Sequence, residues 1–423
     1  MNMVARTAAL AFGASVLASS ALTSAAVAQV LQSYVVENVK TQSSDKSADV
    51  AIARIEVVGA NVTRADLERL LTPDLPAETR GEIMMNLQAQ RIFVPEVVIT
   101  RTGDEKGRFV LRDYLVVNLD RARFDRISLG SISGTMTTKE KSEGTFNSGQ
   151  ITLEGGDFSK VAAAAKAGNA TDGVAKLRLF SWSGFELAVT DAKVPATAAG
   201  GNTYRFGLKS ANAKTDYAGD VPTRATANFN GMFFYAPPAS DVGQSLAKFG
   251  YDRMEFGINF DGAYNPANKS FALTDYSISG LNAGTIALAG AFANIDASTF
   301  TANLEGRVAS LMKGNIADVN LRYVDAGLFD KALVFYAASQ GKDPSSVRKE
   351  WAMMIVGMLP MLMGGDPAAL KISEALSAFV TQPKSLTISL KGKNGPVNMS
   401  DLGKLMDPAS LLSQVAITAI ANR

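Results

Sequence analysis

Two stretches of this chain carry the spacing Ser-x-x-Lys, Ser245-Leu-Ala-Lys248 and Ser310-Leu-Met-Lys313. On a helix that spacing sets an amine beside a hydroxyl, as in enzymes that acylate a serine. The Lys-Thr-Gly element that completes such a site is absent, and two matches in a chain of 423 residues follow from composition alone. The chain has no histidine and no cysteine, which removes Ser-His-Asp and Cys-His catalysis and the usual zinc ligand sets. Carboxylates are numerous but unpatterned. A glycosidase needs two of them within about 5–10 Å in space; Asp325 reads as a helix cap and Glu350 as part of a solvated face. The run Asn259-Phe-Asp-Gly-Ala-Tyr-Asn265 offers oxygen ligands without the spacing of a calcium loop and reads as a turn. No glycine-rich phosphate loop or nucleophile elbow is present.

The clearest chemistry is apolar. Trp351-Ala-Met-Met-Ile-Val-Gly-Met-Leu-Pro-Met-Leu-Met363 places 12 apolar residues after a tryptophan, five of them methionine. The segment is too short to span a bilayer. A buried helix packed on a sheet is the ordinary fate of such a run. An adaptable surface for an acyl chain or partner is the functional reading, since methionine is flexible and polarisable. Thioether ligation of Cu(I) is a third. A second apolar feature is the aromatic concentration from Phe229 to Tyr276, which is either core or the lining of a lipid or sugar groove. The candidate binding residues are therefore Trp351, Met354, Met358 and Met361, with Phe233, Tyr235, Phe256 and Phe260. No metal or other cofactor is called for, and no residue is assigned as catalytic.

The elements that must position these residues lie in an exported, β-rich chain. Residues 1–28 read as a cleavable Sec-type signal peptide: Arg6, the apolar stretch Ala8 to Leu22, then the small-x-small pattern Ala26-Val27-Ala28. The mature chain is expected to start at Gln29 in the periplasm; an uncleaved anchor is the alternative. Without cysteine, stability must come from the core. Arg6 is the only charge in the signal, leaving 41 basic against 40 acidic residues. Near-neutral balance without a basic stripe argues against nucleic acid. Only 19% of residues are charged and mean hydropathy is +0.07, high for a soluble chain, yet no run beyond the signal reaches the length of a membrane helix.

The mature chain divides by pattern into three stretches. Residues 29–122 form an α+β segment. It has a strand through Val50–Val57, a helix from Thr63 through Leu71, a helix over Glu78–Gln90, and a hairpin of Phe93–Thr100 with Phe109–Asn118. Pro95 argues for an edge strand or a bulge there. Residues 123–315 alternate as antiparallel strands, clearest at Met254, Phe256, Ile258 and Phe260, with short helices near Phe158–Lys166 and Ser240–Phe249. The echo between Asp125–Met136 and Asp275–Ile286 reads either as a duplicated hairpin or as Ser/Gly-rich composition. Residues 316–423 turn helical: a strand over Ile316–Tyr323, a helix over Asp325–Gln340, and starts at Asp343-Pro344, Asp366-Pro367 and Asp407-Pro408, the last running to the C-terminus. A strand over Lys384–Lys391 interrupts them. An outer-membrane barrel is disfavoured because the chain is expected to end in a helix.

The phrase Leu273-Thr-Asp-Tyr-Ser-Ile-Ser-Gly-Leu-Asn-Ala-Gly-Thr-Ile-Ala-Leu-Ala-Gly290 resembles the β-repeats of AsmA-like and YdgA-like periplasmic envelope proteins of Gram-negative bacteria. Leu321–Asp330 with its following helix, and the strand at Lys384–Leu390, are similar in kind. The resemblance implies a β-rich envelope protein with an open apolar groove and a role in phospholipid traffic or outer-membrane homeostasis. This chain departs from the AsmA pattern in having no clear retained anchor and no great length, so that a soluble, groove-bearing envelope protein is what the resemblance implies.

Together these readings predict an α+β, β-dominated fold: a large curved antiparallel sheet, groove or sandwich-like, with a helical C-terminal section. The expected function is non-enzymatic binding of a lipid-like amphiphile or an envelope protein partner through apolar surface. A structural scaffold of the cell envelope without a small ligand, and a carboxylate-dependent carbohydrate-active enzyme, are the alternatives.

Overall fold

The computed structural model of the chain describes residues 31–42, 47–65, 67, 75, 76, 78, 79, 82, 85–103, 105–139, 141–168, 174–196, 201–401 and 413–423. Residues 1–28, expected as a signal peptide, Leu70, Leu71 and Asp407-Pro408 lie outside them. The fold is β-dominated, with antiparallel pairing throughout and helices gathered toward the C-terminal part. The chain forms two compact units, Met1–Lys193 with Ser210–Lys214, and Val194–Lys209 with Thr215–Arg423. The compositional boundaries at 122/123 and 315/316 fall inside the first and second unit respectively.

In the first unit, β1 (Gln32–Gln42), β2 (Ala48–Ala60), β3 (Gln88–Arg101) and β4 (Lys106–Asp120) form a meander. Beyond β4 each row holds two strands end to end. β5 (Arg123–Leu129) and β6 (Ser131–Thr137) both pair with β4; β7 (Glu143–Ser148) pairs with β6, and β8 (Ile151–Asp157) with β5. After helix α1 (Ser159–Lys166), β9 (Lys176–Trp182) and β10 (Phe185–Thr190) repeat the arrangement. The breaks fall on one line. Pro95 stands opposite Asp113, which has φ 57°, and the line continues through Gly130, Gly149 and Gly184. Pro95 therefore occupies a crease in an interior strand rather than an edge: a residue without an N–H is tolerated where the ladder is already interrupted. Val36, Ile55, Val57 and Val94 are almost wholly buried on one side of this sheet, together with Leu67 and Leu87 from the connection between β2 and β3. At Gly134 the Phe109 ring crosses the opposite backbone, and an added Cβ would lie 2.3 Å from it; only glycine admits that approach.

Two expectations change here. Gln88–Gln90 belong to β3 rather than to a helix, because residues from Ala89 onward alternate into the core. The Asp125–Met136 echo is a bent continuation of one strand row. Its counterpart Asp275–Ile286 is a true hairpin, so the similarity is one of composition.

In the second unit, β11 (Thr203–Leu208), β13 (Val221–Tyr235), β14 (Arg253–Asn265), β15 (Ser270–Gly280), β16 (Gly284–Ala293), β17 (Asn315–Asp325), β18 (Ser385–Gly392) and β20 (Val415–Ala421) follow one another in space. β12 (Ser210–Ala218), whose residues Ser210–Lys214 belong to the first unit, precedes β13 in the chain, and the short β19 (Val397–Asn398) pairs with the start of β17. The C-terminal residues from Val415 form a strand, not the expected helix. Val415, Ile417, Ala419 and Ala421 alternate against Gly392, Leu390, Ile388 and Leu386, and this pairing outweighs the alanine-rich helical propensity. The argument against a barrel from a terminal helix loses its premise.

The helices of this unit are α2 (Asp241–Lys248), α3 (Ser298–Thr301), α4 (Leu304–Leu311), α5 (Leu328–Ser339), α6 (Pro344–Leu362) and α7 (Pro367–Thr381). α3 and α4 were not foreseen. The two Asp-Pro starts within the described residues behave as read. Asp343 accepts from the Ser345 and Ser346 N–H groups at 2.8 and 3.3 Å, and Asp366 from Ala368 N–H at 2.8 Å. Among the described residues no helix is long and apolar enough to cross a membrane, which says nothing of strands.

Candidate apolar binding surface

The geometry of the second unit's sheet turns on one bulge. Between Phe229 and Met232 the register of β13 against β14 shifts, so that Asn230 and Gly231 together face Gly257. Gly231 has φ 59°, and a Cβ there would lie 2.5 Å from the Lys209 side chain, so glycine is needed on both counts. The bulge inverts side-chain parity. Phe229, Met232 and Phe234 share one face with Met254, Phe256, Ile258 and Phe260, whereas Phe233 and Tyr235 pair with Glu255 and Arg253 on the other. The Arg253 guanidinium lies over the Phe233 ring at 5.2 Å. Of the four aromatic candidates, Phe256 and Phe260 are brought together and Phe233 and Tyr235 are separated from them.

The face carrying Phe256 and Phe260 is apolar across the sheet. Register places Phe260, Tyr276, Leu288, Leu321 and Ile388 in one row, and Ile258, Ile278, Ile286, Tyr323 and Leu386 in the next. One end is covered by α3, whose Phe300 ring lies 4.8 Å from Tyr264 and 6.1 Å from Phe271. Near β17 it is met by α7, whose Phe379 ring is 5.7 Å from Tyr323. Between these covers Tyr276, Ile278, Ile286 and Leu321 are exposed.

The opposite face is polar and the less accessible of the two on β15. Ser277 is buried while its sequence neighbours Tyr276 and Ile278 are exposed. Asn228 donates to Asn259, Asn259 to Ser277 at 3.3 Å, and Ser277 to Asp275 at 3.2 Å, a hydrogen-bonded chain across three strands. Glu255 accepts from Lys209 at 2.6 Å and from Arg253; these two hydrogen bonds hold its carboxyl below the usual range. A shallow cavity of about 270 Å³ on this side is lined by Thr274, Asp275, Asn320, Arg322 and Thr387 among others. The usual antiparallel sheet of a soluble protein turns its apolar side inward; on β15 the alternation is reversed.

The methionine segment forms the second half of α6. Only Val347 of this helix is buried. Trp351 is half-buried against Tyr336 and Phe329, with ring separations of 5.2 and 6.3 Å. Met354 and Met358 are about half exposed, Met353 is 69% exposed and Met361 80%. A buried helix is therefore not what the segment forms. At about 100° per residue, Met353, Met354, Met358 and Met361 fall within an arc of roughly 140°, away from the half-buried strip of Arg348, Ile355 and Leu359.

The polar candidates have structural partners. Ser245 Oγ donates to Asp241 O at 2.8 Å, and Ser310 Oγ meets Ser298 Oγ and Thr299 Oγ1 at 2.9 and 2.8 Å, so neither serine is bonded to its lysine. Asp325 accepts from Gly327 N–H and Phe329 N–H at 2.8 and 2.9 Å, tying down the start of α5, and from the Tyr323 hydroxyl at 2.5 Å. Burial first, and that hydrogen bond second, push the Tyr323 hydroxyl well above the usual phenol range. Glu350 accepts from Lys342 at 2.7 Å. Among the described residues no group of three or more acidic side chains is placed to hold a metal ion.

The sequence reading missed Ile258, Ile278, Ile286 and Leu321. Their alternation was visible, but alternation marks an apolar face without saying whether anything covers it. Among known proteins, a family model described as an uncharacterized protein matches residues 277–422, a stretch that begins within β15 and takes in α6 and β20. No curated protein matches the chain.

Proposed function

We propose that this chain is a non-enzymatic periplasmic envelope protein that binds an amphiphile through the apolar surface of its second unit. The observation that carries the reading is the reversed burial on β15, where Ser277 is covered and Tyr276 and Ile278 are not. Contiguous exposed apolar area of this kind marks an interaction site, and the residues on it are aliphatic and aromatic, suited to an acyl chain. The exposed methionine arc of α6 supports it, since methionine adapts to irregular apolar partners.

The test is native mass spectrometry with lipid extraction on protein purified from the periplasm, its N-terminus sequenced to check for Gln29. The expected result is a phospholipid or fatty acid in stoichiometric amount, lost in Ile278→Asp while the thermal melt is kept. A clean apo mass overturns amphiphile binding. A co-purifying envelope protein with that clean mass would put the scaffold reading in its place.

A further inference from the structure

The end of the α6–α7 hairpin has a character of its own. From Trp351 to Gly365 there is no charged residue, and Met361 and Leu362 are 80% and 65% exposed. Across the Met363–Asp366 connection, Leu370 in the first turns of α7 is also exposed. The apolar half of α6 is about 18 Å long at 1.5 Å per residue, too short to cross a bilayer and long enough to lie in one leaflet.

Charge is arranged around this patch rather than within it. Lys342 is held by Glu350 at 2.7 Å and Arg348 by Asp330 at 2.6 Å. Lys349, two residues before Trp351, and Lys371, directly after Leu370, form no salt bridge among the described residues. An apolar tip bordered by two cations outside any salt bridge among the described residues, with a tryptophan at the boundary, complements a phosphate-bearing lipid surface. A second copy of the chain would set these cations against like charge in a symmetric contact.

We propose that the tip of the α6–α7 hairpin docks the protein on a phospholipid bilayer, with Met353, Met358, Met361 and Leu362 at the acyl boundary and Lys349 and Lys371 at the phosphates. This rests on the reading of the second unit's apolar surface as lipid-facing and assigns one part of it to an intact membrane rather than to a single bound molecule.

The test is flotation of the full chain with vesicles of phosphatidylethanolamine and phosphatidylglycerol, with Trp351 fluorescence read in a Trp182→Phe background. The chain is expected to float with the vesicles and its Trp351 emission to shift to the blue. Met358→Asp/Met361→Asp should lower vesicle affinity by about tenfold or more with an unchanged melt. The milder Met361→Gln should lower it less. Lys349→Gln/Lys371→Gln should weaken binding to the anionic vesicles and leave binding to neutral ones unchanged. Absence of flotation, or flotation indifferent to the methionine changes, overturns the docking. If lipid still co-purifies in native mass spectra while vesicles are not bound, the amphiphile reading stands and the docking falls. A dimer that the methionine changes convert to monomer, without vesicle binding, also overturns it.

Discussion

Substitution of Ile286 by threonine tests whether the sheet face is open in solution. Ile286 is 51% exposed and stands between Ile278 and Tyr323 in register. Complete burial of an isoleucine side chain stabilises by about 1.5–3 kcal/mol, so the half that is covered here contributes roughly 1 kcal/mol. Threonine keeps the branched Cβ and with it the strand preference, and its hydroxyl remains in water. Ile286→Thr should therefore cost about 1 kcal/mol. Leu333→Ala provides the opposite limit: Leu333 is 1% exposed between α5 and α6, and its truncation should cost about 2–5 kcal/mol. The assay is urea unfolding followed by Trp351 fluorescence in a Trp182→Phe background, which reports the second unit alone, since Trp182 belongs to the first. The midpoint should move with the slope unchanged. A loss of about 3 kcal/mol or more for Ile286→Thr, equal to that of Leu333→Ala, would mean that the face is covered and would refute the argument for an open surface.

Other perturbations follow from local geometry. Gly231→Ala should destabilise by about 1–2 kcal/mol in the same assay, since it places a Cβ at positive φ against Lys209; a neutral result would remove the bulge as the cause of the parity change. Gly357→Ala should stabilise α6 by about 1 kcal/mol, because a Cβ there meets no atom within 4 Å, and a fall in helix content would contradict it. Ser240→Ala should cost about 1 kcal/mol, because the buried hydroxyl accepts from Gly243 N–H at 3.0 Å and donates to Pro237 O at 2.7 Å; an unshifted melt would show that the cap contributes nothing. Asp343 is held below its ordinary range, first by the Ser345 hydroxyl and then by backbone N–H groups. A depressed carboxyl contributes its stabilisation above its unfolded pKa and loses it as pH falls through the folded one. Helicity should thus be level near neutral pH and fall below about pH 4, less so in Asp343→Asn. Identical circular-dichroism titrations would sink that assignment.

How much of this was legible in the sequence depended on the range of the interaction involved. The β-dominated class, the β3–β4 hairpin and the helix starts at Asp343-Pro344 and Asp366-Pro367 rest on neighbouring residues, and they appear where expected. Strand β20 was misread because its Ala- and Ile-rich run is ambiguous until Leu386, Ile388 and Leu390 lie beside it. The candidate site was half legible. Phe256 and Phe260 follow the simple alternation of β14, but Phe233 and Tyr235 rest on the aromatic concentration alone, which carries no face, and the single extra residue at the β13 bulge turns them to the other side. The exposure of Met354, Met358 and Met361 was not legible at all, because composition is the same for a buried helix and an uncovered one.

The reversed face raises the question of what holds these strands together if their apolar side is not a core. Part of the answer lies on the other side of the sheet. The Asn228, Asn259, Ser277 and Asp275 chain crosses β13, β14 and β15, and Arg224 pairs with Asp261 at 3.0 Å. The rest lies at the ends, where Tyr264, Ile295 and Met399 form one small core and Leu333, Ala337 and Val347 another. Strands fixed by backbone ladders, polar contacts and two terminal cores do not need their central apolar face for folding. Covering that face would then add stability by mass action, in proportion to the logarithm of occupant concentration. An occupant of the central face should therefore raise the melting temperature of the second unit and leave the first unit's own transition where it was, a separation that the two tryptophans, one in each unit, can resolve.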